Sequence, residues 1–206
     1  MEKKEIDKMK KVKALLYCTK KQPYLVKDDI PLENEPIYYT QYKKDPRCCG
    51  LPLNGKILAE CDIKTEEIKL SAYSVYEDTI YLFDTSTLTN DQLTEKSWLC
   101  NDELDNYLIN EKGYALHISN LKIFDKPKEL NDYNVDNSAD YGSFGWAFED
   151  NERITPLKKA PQNMMRVYDK FDNEYILISV RSEWLCKILD GDKTIEVRKK
   201  VLKEML

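Results

Sequence analysis

The sequence predicts an α+β fold in which short strands build a sheet, a few short helices flank it, and long loops connect them. Three observations lead there. Runs of β-branched, aromatic and aliphatic residues recur at 13–19, 56–63, 114–124 and 175–179, each of strand length. Helix signals between them are brief: Thr89-x-x-Gln92 has the form of a capping box, and Asn101 precedes a short helical run, 102–109, that Gly113 closes. The remainder is loop by composition. Residues 22–53 hold five prolines, and 131–151 are dominated by Asn, Asp, Ser and Gly, with Trp146 and Phe148 as isolated apolar anchors.

In chain order, strand 13–19 gives way to the excursion 22–53, long enough to be a lid or a partner surface. Asn54-Gly55 punctuates before strand 56–63, a helix-and-loop region follows, and strand 114–124 ends at Pro127. The carboxyl end is denser. After the apolar strand 175–179, Ser182 opens a helix with Trp184, Leu185, Ile188 and Leu189 on one face, and Gly191 supplies its left-handed stop. From Thr194 a last strand alternates, with Thr194, Glu196 and Arg198 on one face and Ile195 and Val197 on the other. Lys193 has the parity of the apolar face, so it meets Glu196 only if the turn after Gly191 re-aims it.

At 206 residues the chain has the length of a single domain with a real core. Its formal net charge of −5 argues against a surface coated for nucleic acid and confines any RNA contact to a local pocket. No signal-peptide-like apolar run opens the chain, and no stretch nears the roughly 18 apolar residues needed to span a bilayer. The expectation is a cytoplasmic protein without a membrane partner. The six cysteines form no Cys-x-x-Cys pair, and with one histidine no metal site is expected, nor any cofactor. Cys18, Cys61 and Cys186 read as buried reduced thiols in apolar runs, and Cys48-Cys49 as loop residues.

The stretch from Ile176 to Arg198, with Gly191, Lys193, Glu196 and Arg198 in a Gly-x-Lys-x-x-Glu-x-Arg pattern, resembles the opening of ASCH domains. Segments 12–20, 53–62, 113–130 and 159–162 resemble later segments of phage and prophage members, so the resemblance covers most of the chain. It implies a PUA-like β-barrel, an association with RNA and, in some members, ribonuclease activity or hydrolysis of acylated cytidine. The family opening stands last here. That order reads as a circular permutation, with later family segments at 1–168, a polar linker at 169–174 and the family start at 175–206. Its geometric corollaries are that Met1 and Leu206 lie close together and that 175–178 share a sheet with 13–17. The rival reading is one full domain followed by a truncated second copy.

Recognition of a nucleobase needs an acceptor for an exocyclic amine, cations for carbonyl or phosphate oxygens, and a stacking surface. Glu196 can accept, Lys193 and Arg198 can hold oxygens, and Trp184 or Tyr17 can stack. Tyr17, Thr19 and Lys20 belong to the strand that the resemblance places beside the motif, and Glu60 matches a recurrent family acid. Each also has a plain structural reading: Lys193 and Glu196 as an ion pair at a barrel rim, Arg198 as an edge charge, Trp184 as core, Glu60 as an ion-pair partner. His117, between Leu116 and Ile118, reads as a satisfied, partly buried histidine.

Three functions fit these residues. The first is binding of RNA or a modified nucleoside. The second is hydrolysis, as a ribonuclease or on acylated cytidine, with Lys193 as base, Thr194 as hydroxyl and Glu196 handling the leaving amine. Against the acyl-hydrolase mechanism, Glu196 stands where the small hydrolases of the superfamily carry a threonine. The third is capture of a host protein, with the barrel as scaffold and Tyr38, Tyr39 and Tyr42 in the contact.

Overall fold

The computed structural model of the protein describes residues 9–19, 55–75, 78–108, 112–136, 154–157 and 161–206. Nine strands occur among them: β1 (Lys11–Cys18), β2 (Ile57–Val75), β3 (Asp78–Asp84), β4 (Gly113–Lys128), β5 (Asn134–Asp136), β6 (Ile154–Pro156), β7 (Met164–Tyr168), β8 (Glu174–Val180) and β9 (Ile195–Arg198). Three α-helices accompany them: α1 (Asn90–Ser97), α2 (Asn101–Leu108) and α3 (Ser182–Leu189). The fold is α+β. The strands are hydrogen-bonded in the order β6-β5-β7-β8-β1-β2-β4-β9, with β3 on β2, and among the described residues the ends β6 and β9 do not pair. Strand β8 lies next to β1, as expected for 175–178 beside 13–17. The corollary about Met1 falls outside the described residues, as do the excursion 22–53 and Cys48-Cys49.

Several elements differ from expectation. Residues 64–75 and 78–84 form the long arm of β2 and its antiparallel partner β3, with Lys69 opposite Asp84 and Leu70 opposite Phe83. Lys64, Glu66, Glu67 and Lys69 are good helix formers, but Glu66 and Ile68 are buried while Glu67 and Lys69 are exposed. That period of two belongs to a strand with one face covered. Strand β4 runs through Pro127 to Lys128, since a proline is tolerated at a strand end where no ladder donor is needed. Asn101 is the first residue of α2 rather than its cap: its Oδ1 accepts from Asn90 Nδ2, and Glu103 reaches back to the Cys100 N–H at 2.9 Å. The Thr89 box does form, with Gln92 Oε1 accepting from Thr89 N at 3.0 Å and Thr89 accepting from Gln92 N. Cys18 and Cys61 are buried thiols outside any disulfide, but Cys186 is disulfide-bonded, contrary to the reduced thiol expected. Burial in an apolar helix face is legible in sequence; the approach of a second sulfur is not.

The chain divides into two compact units. The first comprises 1–14, 61–122 and 188–206. Its apolar cluster joins Ile68, Phe83, Leu88, Leu93, Leu104, Leu108, Ala115, Ile195 and Val197. Helix α1 therefore contributes Leu93, and α2 Leu104 and Leu108, to the face of β9 that carries Ile195 and Val197. The second comprises 15–60 and 123–187, with a cluster of Leu15, Tyr17, Ile57, Tyr133, Val135, Leu157, Val167 and Leu177. There the polar stretch 169–173 is a hydrogen-bonded hairpin turn between β7 and β8, in which Asp169 Oδ1 accepts from Phe171 N at 2.8 Å and Asn173 N at 3.0 Å. No helix among the described residues is long and apolar enough to cross a membrane.

Candidate functional site

Helix α3 ends in a turn where Gly191 adopts φ +83°, a left-handed conformation that costs an L-residue with a side chain about 1 kcal/mol or more. The chain leaves this turn against the end of α1. Three hydrogen bonds fasten the two segments in antiparallel order: Thr194 N–H donates to Lys96 O at 3.0 Å, Lys193 Nζ donates to Ser97 O, and Trp98 Nε1–H donates to Asp192 O at 3.0 Å. Trp98 is the C-cap of α1 and itself left-handed, at φ 57°. Residues 96–98 and 192–194 thus brace the start of β9.

This bracing resolves the parity of Lys193. The residue precedes β9, so strand alternation does not bind it, and its side chain turns inward with 2 % exposure. Its ammonium lies 3.4 Å from Glu196 Oε2, while Arg198 Nη2 lies 2.9 Å from Glu196 Oε1. The sequence-expected trio of Lys193, Glu196 and Arg198 is therefore assembled, with the Glu196 and Arg198 side chains 11 % and 13 % exposed. Burial pushes the Lys193 ammonium below its ordinary pKa; Glu196 opposes that shift, Arg198 adds to it and Glu103 opposes it weakly. Glu196 is thus held by two cations in a space of low dielectric. Glu196 is a carboxylate fixed from both sides, and each of its oxygens retains a second acceptor direction. The Ser97 hydroxyl is buried beside this trio and makes no hydrogen bond among the described residues.

Thr194 is exposed; its backbone binds Lys96 O and accepts from Ile118 N at 2.9 Å, and no hydrogen bond among the described residues joins its hydroxyl to Lys193 or Glu196. The other expected residues belong to the second unit. Tyr17 is a core member at 5 % exposure, its phenol pushed up by burial and then by Cys18. Thr19 bonds Val180 O through both its N–H (3.0 Å) and its hydroxyl (3.2 Å), a structural closure of the strand end. Glu60 is half-buried and adds, after burial, Tyr175, Asp132 and Asp169, to the upward push on the Tyr133 phenol. Trp184 is half-buried on α3. Lys20 lies outside the described residues.

Sequence reasoning passed over a second polar cluster in the first unit. Glu66, 6 % exposed, accepts from Ser86 Oγ (2.6 Å), Thr87 N (2.7 Å) and Thr87 Oγ1 (2.8 Å), and its Oε2 lies 2.9 Å from His117 Nε2. Burial alone would raise its carboxyl, but the bonds from His117, Ser86, Thr87 and Thr85 bring it down to about 2. His117 is the satisfied, partly buried histidine expected. Nearby on β2, Asp62 is held between Lys11 (2.6 Å), Lys13 (2.9 Å) and Asn120 (2.5 Å), which together overcome its burial and lower it to about 2. Trp98 and Ser97 were also missed, because their roles depend on how α1 ends and not on any motif of their own. Among the described residues no group of His, Cys, Asp and Glu is arranged to hold a metal ion. Comparison with protein-family models, with curated proteins and with solved structures returns no match.

Proposed function

We propose that the chain is a circularly permuted ASCH-type protein of PUA-like barrel fold, cytoplasmic, that binds RNA or a modified nucleoside through Lys193, Glu196 and Arg198. The observation that carries this reading is the buried Glu196 carboxylate, clamped between Lys193 at 3.4 Å and Arg198 at 2.9 Å. A fixed anion of this kind suits an exocyclic amine such as the cytosine N4 group, and the flanking cations suit a carbonyl or phosphate oxygen. The surrounding polar framework is already in place, so a ligand has few side chains to order on binding.

A hydrolytic reading, ribonuclease or acyl-cytidine hydrolase, draws support from the burial of Lys193, which lowers its pKa, the direction a lysine base needs. The exposed Thr194, without a bond to Lys193 or Glu196, speaks against Thr194 as its nucleophile. Capture of a host protein rests on Tyr38, Tyr39 and Tyr42, which lie outside the described residues.

The test is a binding and turnover screen against short single-stranded RNAs and free nucleosides, including N4-acylated cytidines. Glu196→Gln keeps the side-chain shape and removes the charge, and should weaken binding about tenfold or more, the loss of one charge-assisted bond. Lys193→Met should weaken it too. Equal affinity in wild type and both variants would end this reading, and product formation that needs Lys193 would convert the reader into an enzyme.

A further inference from the structure

Gly191 follows Asp190, and the two form the one Asp-Gly pair in the chain. Such a pair has a chemistry of its own. The γ-carbon of an aspartate lies within reach of the amide nitrogen of the next residue, and a five-membered ring closes when the two join. A glycine in the second position puts no side chain in the way. In a folded protein, ring closure then depends on exposure, on room around the glycine and on what holds its amide.

All three conditions are met here. Asp190 and Gly191 are both exposed and lie in the turn between α3 and β9, outside either element. Gly191 stands at φ +83°, and an atom built at its missing Cβ position meets nothing within 4 Å, so a ring has room to form. Its N–H donates to Ile188 O at 3.1 Å, a terminal turn bond that opens without unfolding of the domain. The Gly55 N–H, by contrast, donates to Cys18 O at 2.8 Å and is tied to the end of β1.

We propose that Asp190 is a site of spontaneous isoaspartate formation, and that the change releases the brace between residues 192–194 and the end of α1. The Gly191 nitrogen bonds to Asp190 Cγ; the amide proton and the carboxyl hydroxyl leave as water, and a cyclic imide joins the two residues. Water then opens the ring. Cleavage of the Cγ–N bond restores aspartate. Cleavage between Gly191 N and the Asp190 carbonyl carbon leaves the chain running through Cγ, with a free α-carboxylate. No oxidant or reductant enters, and the mass returns to its starting value. The consequence is geometric: one methylene, about 1.5 Å of added backbone, stands immediately before Asp192, Lys193 and Thr194. Those residues make the three bracing bonds, Trp98 Nε1–H to Asp192 O at 3.0 Å, Lys193 Nζ to Ser97 O, and Thr194 N–H to Lys96 O at 3.0 Å. Hydrogen bonds hold over a donor–acceptor range of roughly 2.7–3.2 Å, so an insertion of that size breaks part of the set.

The experiment incubates the full chain at 37 °C for several weeks in water enriched in heavy oxygen, as wild type, Gly191→Ala and Asp190→Glu. After digestion, the peptide holding residues 190 and 191 is read by mass spectrometry with electron-transfer fragmentation, which distinguishes isoaspartate from aspartate. Each passage through the imide leaves one heavy oxygen. Wild type should accumulate heavy oxygen and isoaspartate at position 190, Gly191→Ala less of both, and Asp190→Glu, whose ring would have six members, neither. Isoaspartate arising at Asn54-Gly55 passes through loss of ammonia and falls in a different peptide. The isoaspartyl fraction of aged wild type, separated by chromatography, should show an unfolding constant about tenfold or more above that of fresh protein in urea melts, the loss of more than one hydrogen bond. Aged Asp190→Glu should melt as it does when fresh. Heavy oxygen and isoaspartate at position 190 no higher in wild type than in Asp190→Glu overturn the proposal, and an isoaspartyl fraction that melts like fresh protein overturns the release of the brace.

Discussion

Removing the Glu196 carboxylate should destabilise the fold, and the size of that loss measures how buried the trio is in solution. Glu196→Ala leaves the Lys193 ammonium, 2 % exposed, without the carboxylate that lies 3.4 Å away, and strips Arg198 of its partner at 2.9 Å. Breaking a buried ion pair from one side costs about 3–5 kcal/mol, against about 0–1 kcal/mol for a solvated pair. Lys193 has an escape, because burial already lowers its pKa and the loss of Glu196 lowers it further. The folded variant then binds fewer protons than the unfolded chain, whose lysine titrates near the ordinary 10.5. Stability must therefore rise with pH from the depressed folded value up to that ordinary one, with a limiting slope of about 1.4 kcal/mol per pH unit. Urea melts of wild type and Glu196→Ala at pH 7 and pH 9.5 should show a deficit of about 3 kcal/mol that shrinks at the higher pH, and Lys193→Met in the same background should recover part of it. A deficit below about 1 kcal/mol that does not change with pH would refute the buried geometry.

Acid should act on the other polar cluster. The Glu66 carboxyl, held down at about 2 against an ordinary 4.5, contributes stability that is present above pH 4.5 and lost as pH falls towards 2, about 3 kcal/mol in all; Glu66→Gln should flatten urea midpoints measured across that window, and an unchanged acid slope would show that the Ser86, Thr87 and His117 bonds do not persist in solution. Gly191→Ala meets nothing within 4 Å, so its cost is the left-handed backbone alone, about 1–2 kcal/mol by denaturant melt with an unchanged m-value; a neutral result would mean that the turn relaxes.

Local signals proved the most legible part of the chain. Thr89-x-x-Gln92 formed its reciprocal box, Gly191 took the left-handed turn, and strands 13–19 and 175–179 appear within a residue or two as β1 and β8. Each depends on neighbours a few residues apart. The second half of β2 and all of β3 were hidden, because Lys64-Thr-Glu-Glu-Ile-Lys69 satisfies helix propensity and strand alternation at once, and only the pairing with neighbouring strands decides between them. In the site, Lys193, Glu196 and Arg198 were legible as residue types on one short segment. Their assembly was not: it required the last turn of α1, nearly a hundred residues earlier, to present the Ser97 carbonyl and to stop in a left-handed tryptophan. The disulfide at Cys186 is a tertiary fact of the same kind.

The register of β4 against β9 places the two polar clusters on opposite sides of the strand pair. Leu116 faces Glu196 and His117 faces Ile195. Directly opposed residues of an antiparallel pair project to the same side, and successive residues alternate. His117, with its Glu66 partner, therefore belongs to the side of Ala115, Ile195 and Val197, which is the apolar cluster of the first unit, while Glu196 and Arg198 belong to the reverse side. Four donors satisfy Glu66 on the packed side, so it has little acceptor capacity left for a ligand and its role is to fix β2, β4 and the 85–87 turn to one another. On the reverse side Glu196 is held by two long cationic side chains, Lys193 and Arg198. The same strand pair thus separates the Glu66–His117 network, which sets acid sensitivity, from the Lys193–Glu196–Arg198 trio.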